Sequence, residues 1–143
     1  MKYESLKLGN QLCFPLYACS KEIIKKYKPF LDPLGLTYTQ YITLMALWEE
    51  NNVTVKALGE RLYLDSGTLT PLLKKMENQG LVTRVRSPKD ERNVYISLTE
   101  KGSALKDEAL TVPKQIGGCI SLSKEEAVSL QRLLNKVLKQ LTE

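Results

Sequence analysis

The sequence predicts a mainly α-helical domain interrupted by one small β-hairpin, and three observations predict it. Apolar residues recur at helical spacing over most of the chain. Only residues 81–98 switch to strand-like alternation around a polar, charged tip. Just before them a short helix, a tight turn and a second amphipathic helix follow one another, the order of a winged helix-turn-helix.

In order along the chain, residues from about 10 to 28 carry Leu12, Leu16, Ile23, Ile24 and Tyr27 at helix-compatible spacing, and Pro29 and Pro33 are expected to break that helix. Lys25, Lys26 and Lys28 crowd its end, where cations suit the dipole. Thr37 with Gln40 reads as a capping box for a helix carrying Tyr41, Leu44, Met45, Leu47 and Trp48, stopped by Asn51-Asn52. Thr54 can cap a short helix over 55–62, with Val55, Leu58 and Leu62 inward. Asp65 or Ser66 caps the next helix, which runs to Gln79 before Gly80. Leu69, Leu72, Leu73 and Met76 stand at i, i+3, i+4 and i+7 and form its apolar face. Leu81–Arg86 and Val94–Leu98 read as the two strands of the hairpin. Thr99 opens a helix expected to end before Pro113, Gly117-Gly118 marks a bend, and Ser123 with Glu126 caps a last helix rich in leucine.

Composition bounds the chemistry. The chain has 143 residues, 43% hydrophobic and 26% charged, which suits one ordinary globular domain. With 0 His there is no Ser-His-Asp triad, no imidazole base and no histidine-ligated metal. No cofactor is called for. The start of the chain lacks the apolar core of a signal peptide, and no apolar stretch reaches the roughly 20 residues needed to span a bilayer, so a cytoplasmic protein away from membranes is expected.

The charge points to a partner. The formal net charge is +5, and residues 56–92 hold 8 basic and 5 acidic groups, or +3 of it. The outward face of the second helix offers Ser66, Thr68, Thr70, Pro71, Lys74 and Lys75 beside Asp65. Hydroxyls, a proline edge and lysines suit the floor and walls of a DNA major groove. Pro71, about five residues into the helix, costs one backbone bond near its start. The hairpin tip is expected to offer Arg84, Arg86, Lys89 and Arg92 to phosphates or a minor groove. Asp90, two residues before Arg92, can hold that arginine extended and so lower the entropy cost of inserting it; the plainer reading is a surface ion pair worth little.

Three cysteines, Cys13, Cys19 and Cys119, form no CxxC pair. In a reducing compartment each is either a buried apolar filler or a reactive thiol. If the first helix opens near Asn10, Cys13 falls in its first turn, at the dipole end that favours an anion. Cys19 lies six positions on, about 120° around the helix, and reads as packing.

Several stretches resemble the MarR family of bacterial regulators, over nearly the whole chain. Leu64-Asp65-Ser66-Gly67-Thr68-Leu69-Thr70-Pro71-Leu72-Leu73-Lys74-Lys75-Met76-Glu77 looks like the recognition helix of one branch. Asp90-Glu91-Arg92 followed by Val94-Tyr95-Ile96-Ser97-Leu98-Thr99-Glu100-Lys101-Gly102 looks like its wing and following helix. Asn10-Gln11-Leu12-Cys13-Phe14 with Tyr17 resembles the organic-hydroperoxide-sensing, OhrR-like repressors. Pro15, two residues after Cys13, departs from that pattern.

The resemblance implies a single domain over 1–143, with residues about 1–36 and 100–143 knitting a homodimer and about 37–99 binding operator DNA as double strands. It implies that Cys13 reacts with organic hydroperoxide, that Tyr27 and Tyr38 hydrogen-bond this thiol across the dimer interface, and that Tyr17 stands near. It also implies Cys119 as a candidate resolving cysteine from the partner subunit. The rival within redox sensing is a one-cysteine sensor that forms mixed disulfides with small thiols. Two further readings stand beside it: a regulator of a small apolar or phenolic ligand with Cys13 incidental, and a thiol peroxidase, against which the winged-helix signature weighs.

Overall fold

The computed structural model describes residues 2–143; Met1 lies outside them. Two 3-10 turns, Glu4–Leu6 and Leu8–Asn10, precede helix α1, Cys13–Leu31. The helix therefore opens three residues later than Asn10. The side-chain amide of Asn10 donates to the carbonyl of Glu4, and that of Gln11 to those of Ser5 and Lys7, which ties these residues into the turns. Pro15 sits in the first turn of α1, where backbone N–H groups have no helical partner to lose, so the helix path is undisturbed.

Pro29, expected to end this helix, lies inside it. It removes one N–H bond, and the helix continues because Leu31, 1% exposed, is anchored in the core two residues on. Pro33 falls in a 3-10 turn, Asp32–Leu34.

Helix α2, Tyr38–Glu49, opens on the expected capping box between Thr37 and Gln40. Asn52, with φ 61°, turns the chain into a short strand β1, Val53–Thr54. Thr54 then caps helix α3, Val55–Leu62, accepting from the N–H of Ala57. Helix α4, Ser66–Asn78, is capped by Asp65 and stops at Gly80, whose φ of 77° an L side chain tolerates poorly. Strands β2, Val82–Arg86, and β3, Val94–Leu98, form the hairpin, and β1 adds to the other edge of β3, giving an antiparallel sheet in the order β1-β3-β2. The sequence reading missed β1, which is too short to show alternation.

Helix α5, Glu100–Glu108, is capped by Thr99. Gly102 meets the hairpin so closely that a Cβ there would lie 2.2 Å from the Leu81 carbonyl oxygen, and its own carbonyl accepts from the Trp48 indole at 3.0 Å. The segment before Pro113 is not one helix. After α5 come a 3-10 turn, Ala109–Thr111, and helix α6, Val112–Gly117, with Pro113 in the first turn, where its missing N–H costs nothing. Helix α7, Lys124–Leu141, opens on the Ser123–Glu126 capping box.

The core gathers where α2, α3 and α4 close on the sheet. Leu44, Leu47, Leu58, Leu69, Leu73, Met76 and Ile96 are buried there, and Leu31 and Val112 join from α1 and α6. The ends of the chain differ. In the single chain no residue of α7 is buried, and Leu130, Leu133, Leu134 and Leu138 stay exposed along one stripe. Leu12, Phe14, Leu16 and Tyr17 of the first helical segment are exposed as well. No helix among the described residues is long and apolar enough to cross a membrane.

Candidate nucleic-acid interface and thiol site

The second helix of the helix-turn-helix is fixed at both ends. Asp65 Oδ1 accepts from the Thr68 N–H at 2.8 Å, and Leu69, Leu73 and Met76 are buried beneath it. That anchorage leaves Ser66, Thr68, Pro71, Lys74 and Lys75 exposed on the opposite side. Thr70 is half-buried and turned toward the hairpin, lining a cleft with Arg84, Arg86 and Arg92.

The hairpin differs from expectation at Arg84, which stands mid-strand opposite Ile96 and not at the tip. Strand alternation puts Arg84 on the face of the buried Val82, toward α4, where Nη1 lies 3.8 Å from Glu77 Oε1. Arg86 is folded back, donating to the backbone carbonyl of Glu91. The tip is held by local hydrogen bonds: the Ser87 hydroxyl accepts from the N–H groups of Lys89 and Asp90, and the Ser87 N–H donates to Asn93 at 2.8 Å. Lys89 is exposed.

Asp90 and Arg92 form a two-pronged pair. Arg92 Nε donates to Oδ1 at 3.1 Å and Nη2 to Oδ2 at 3.3 Å, while the Arg92 backbone N–H also donates to Oδ1. The Arg92 side-chain bond, then the backbone bond, hold the Asp90 carboxyl below the usual carboxylate range. The Arg92 side chain is nonetheless 91% exposed.

Cys13 is the first residue of α1, and its thiol is exposed. Tyr17, one turn on, stacks loosely on Phe14 with ring centroids 6.4 Å apart, and Lys21 Nζ lies 5.1 Å from its ring centre. Tyr27 and Tyr38 meet at 4.8 Å. Tyr41, which the sequence reading left in the core, completes a three-ring cluster at 5.8 Å from Tyr27 and 6.4 Å from Tyr38. Burial raises all three phenols above their ordinary value, so they remain O–H donors at neutral pH. Within one chain this cluster is far from Cys13: 14 residues of helix separate Cys13 from Tyr27, roughly 21 Å of rise.

Cys19, read as a packing residue, is exposed in the single chain, because its stretch of α1 has no covering element there. Cys119 lies just beyond α6, its N–H bonded to the Ile116 carbonyl at 3.0 Å and its exposed thiol 3.7 Å from the Gln115 carbonyl oxygen. All three cysteines are free.

Sequence reasoning also passed over Lys56 and Tyr63. Both border the groove in front of α4, with Asp65 and Ser66. Lys56 lies in the first turn of a helix read only for its inward face. Tyr63 is the residue that turns α3 into α4.

The family described as "Transcriptional regulator SarA/Rot" matches residues 25–109. The chain is 54% identical over 140 residues to the organic hydroperoxide resistance transcriptional regulator of Bacillus subtilis (strain 168), covering 98% of this chain and 95% of that one. Among solved structures it is similar to AbfR, a Staphylococcus epidermidis protein. The structure of reduced AbfR bound to DNA is 39% identical, with a TM-score of 0.80 and 100% of both chains covered. The disulfide-formed AbfR is 38% identical, with a TM-score of 0.69, covering 100% of this chain and 98% of that one. The chain belongs to the SarA/Rot family of transcriptional regulators, on the MarR-type winged helix-turn-helix fold and beside the organic hydroperoxide resistance regulators.

Proposed function

We propose that the chain is a homodimeric, DNA-binding, redox-responsive repressor that leaves its operator when organic hydroperoxide oxidises Cys13. The observation that carries this reading is Cys13 itself, an exposed thiol opening a 19-residue helix beside uncovered apolar side chains. DNA-bound and disulfide forms of a similar regulator support it.

In this reading residues about 37–99 hold the DNA. The Ser66–Lys75 face of α4 enters a major groove and Arg92 reaches from the wing. Residues about 1–36 and 100–143 pair two chains, and the exposed stripe of α7 is what such pairing would cover. The resemblance to the hydroperoxide-sensing repressors assigns the tyrosine cluster to Cys13 of the partner subunit, and the long separation of the two within one chain is consistent with that assignment.

The chemistry is simple. The Cys13 thiolate attacks the distal oxygen of the hydroperoxide, the O–O bond breaks, and the alcohol leaves with a proton, giving sulfenic acid. Cys119 of the partner subunit then displaces water from that sulfur and closes a disulfide; a small thiol doing the same gives the mixed disulfide of the rival scheme. Either product alters the packing that sets the two recognition helices about 34 Å apart, and a packed interface switches more readily than it bends.

A second reading has its own observation. An open cleft bordered by Tyr41, Met45, Trp48, Leu110 and Pro113 offers mainly apolar surface to a small apolar or phenolic ligand.

Operator binding before and after cumene hydroperoxide, in the native protein and in Cys13→Ser, tests the proposal. Release is expected only with Cys13 present. Release that persists in Cys13→Ser overturns it, and release by a phenol without oxidant favours the second reading. Non-reducing electrophoresis of oxidised Cys119→Ser separates the two redox schemes: loss of the covalent dimer assigns Cys119 as the resolving thiol.

A further inference from the structure

The inner face of the wing is basic beyond its first residue. Val82, Arg84 and Arg86 share that face by strand alternation, and only Val82 is buried in the core. The two arginines line a cleft of about 270 Å³ with Lys56 at the start of α3, Thr70 of α4 and Arg92 of the tip.

Four cations around one cleft require counter-charge, and little is present. Asp90 neutralises Arg92. Arg86 bonds only a backbone carbonyl, and Lys56 forms no ion pair among the described residues. Arg84 reaches Glu77 at 3.8 Å, the outer limit of an ion pair. Its Nε is sealed from solvent and has no hydrogen-bond partner, so a buried charged donor is left unsatisfied. The volume suits a phosphate group with several waters, each taking about 30 Å³.

Resting on the DNA-binding reading above, we infer that this cleft seats one phosphodiester of the DNA backbone, with Arg84 as its receptor and Glu77 as the resident counter-ion of Arg84 in the free protein. A phosphate oxygen accepts from the Arg84 guanidinium, with Lys56 and Arg86 supplying the remaining positive charge and the Thr70 hydroxyl bordering the site. DNA is the favoured source over a free anion because the cleft lies between α4 and the wing tip, the two elements that reach for the duplex. The seat would set the distance between wing and recognition helix on one strand, a constraint that neither element supplies alone.

The test is the salt dependence of operator binding, with duplex DNA as probe. The native protein must bind the duplex; if it does not, the DNA-binding reading itself fails. Given binding, Arg84→Gln is expected to weaken it and to reduce the slope of log K against log salt by about one. Glu77→Gln, an exposed change that leaves the fold alone, is expected to tighten binding roughly two- to fivefold. That gain should vanish in the Arg84→Gln background, whereas a merely long-range charge effect would persist there. An unchanged slope in Arg84→Gln, or a Glu77→Gln gain that survives the loss of Arg84, overturns the inference. Inorganic phosphate at matched ionic strength gives the last arm: if it shifts the Arg84 Nε–H resonance while Arg84→Gln leaves the salt slope intact, the seat belongs to a free anion and not to DNA.

Discussion

The Gln40 side-chain amide donates to Gln79 Oε1 at 3.0 Å, joining the first turn of α2 to the end of α4 across 39 residues of sequence. Gln40 is 1% exposed, and its own Oε1 accepts from the Thr37 N–H at 3.1 Å. One residue therefore caps the helix that carries Tyr38 and Tyr41 and also tethers the end of α4. Gln40→Leu keeps the volume but strands the Thr37 N–H and the Gln79 amide oxygen. It is expected to cost about 1–3 kcal/mol in urea denaturation. In a double-mutant cycle Gln40→Leu and Gln79→Leu should couple, by about 0.5–1.5 kcal/mol. Strict additivity would mean that the amide pair contributes nothing.

The tyrosine cluster predicts a loss of stability at alkaline pH. Burial lifts Tyr38 above the ordinary 10.0, and Tyr27 is lifted by burial and then by the charges of Tyr38 and Tyr41. The folded phenols thus hold their protons beyond the pH at which unfolded phenols release them. Their stabilisation is complete below about pH 10 and is lost as pH rises through the folded values. Tyr38→Phe should flatten that loss. Phenolate absorbance followed against pH, with and without denaturant, measures both effects.

Tyr63 predicts a gain. It holds φ 57° and ψ 39° at the turn between α3 and α4, with 60% of its surface exposed. A non-glycine residue there is strained by about 1–3 kcal/mol, and Tyr63 buries little in return. Tyr63→Gly is expected to raise stability by up to about 1 kcal/mol, part of the relieved strain being offset by the greater freedom of unfolded glycine. A thermal midpoint that falls would show that the ring packs more than its exposure indicates.

How much of this was legible in the sequence follows from the range of the interactions. Caps are local, so Thr37, Thr54, Thr99 and Ser123 could be read directly, as could strand β3, and the α4 cap was narrowed to Asp65 or Ser66. Pro29 was expected to break α1 but lies inside it, because a proline's effect depends on what anchors the helix end; the helix from Thr99 does end before Pro113, and only the short α6 around that proline was missed. Strand β1 has two residues and exists only through pairing with Ile96 and Tyr95. Arg84 fell within the expected strand 81–86 yet was grouped with the tip by its charge; its pairing opposite Ile96 keeps it mid-strand. Tyr41 joined the phenol cluster through packing between α1 and α2, which no spacing rule contains.

The wing tip predicts a pH-dependent pose. The bonds from Arg92 depress the Asp90 carboxyl, so the pair is intact at and above the ordinary carboxylate value and is lost as pH falls through the depressed one. Asp90→Asn should leave stability almost unchanged, since the pair lies at the surface, yet weaken operator binding at neutral pH by freeing Arg92. The Arg92 Nε–H resonance should disperse in the native protein near neutrality and collapse in Asp90→Asn. Equal DNA affinity of the two proteins would reduce the pair to a surface ornament.

The last prediction concerns α7. Leu130, Leu134 and Leu138 recur at i, i+4 and i+8 and are 46%, 40% and 36% exposed in the single chain. If the chain acted alone, Leu134→Glu would change stability by no more than about 0.5 kcal/mol, as at any exposed position. If a second chain covers the stripe, the same change places a carboxylate in an apolar interface and leaves it unpaired. The native thermal midpoint should then rise with protein concentration, because association stabilises by mass action, and Leu134→Glu should sediment as a monomer and lose that dependence. Since the winged core lies on α2–α5 and the sheet, the variant should keep the Trp48 environment set by its bond to Gly102. Operator affinity should fall steeply as well, because one recognition helix then contacts one half-site without its partner. A concentration-independent midpoint in the native protein would remove the dimer, and with it the pairing of Cys13 with the distant tyrosines.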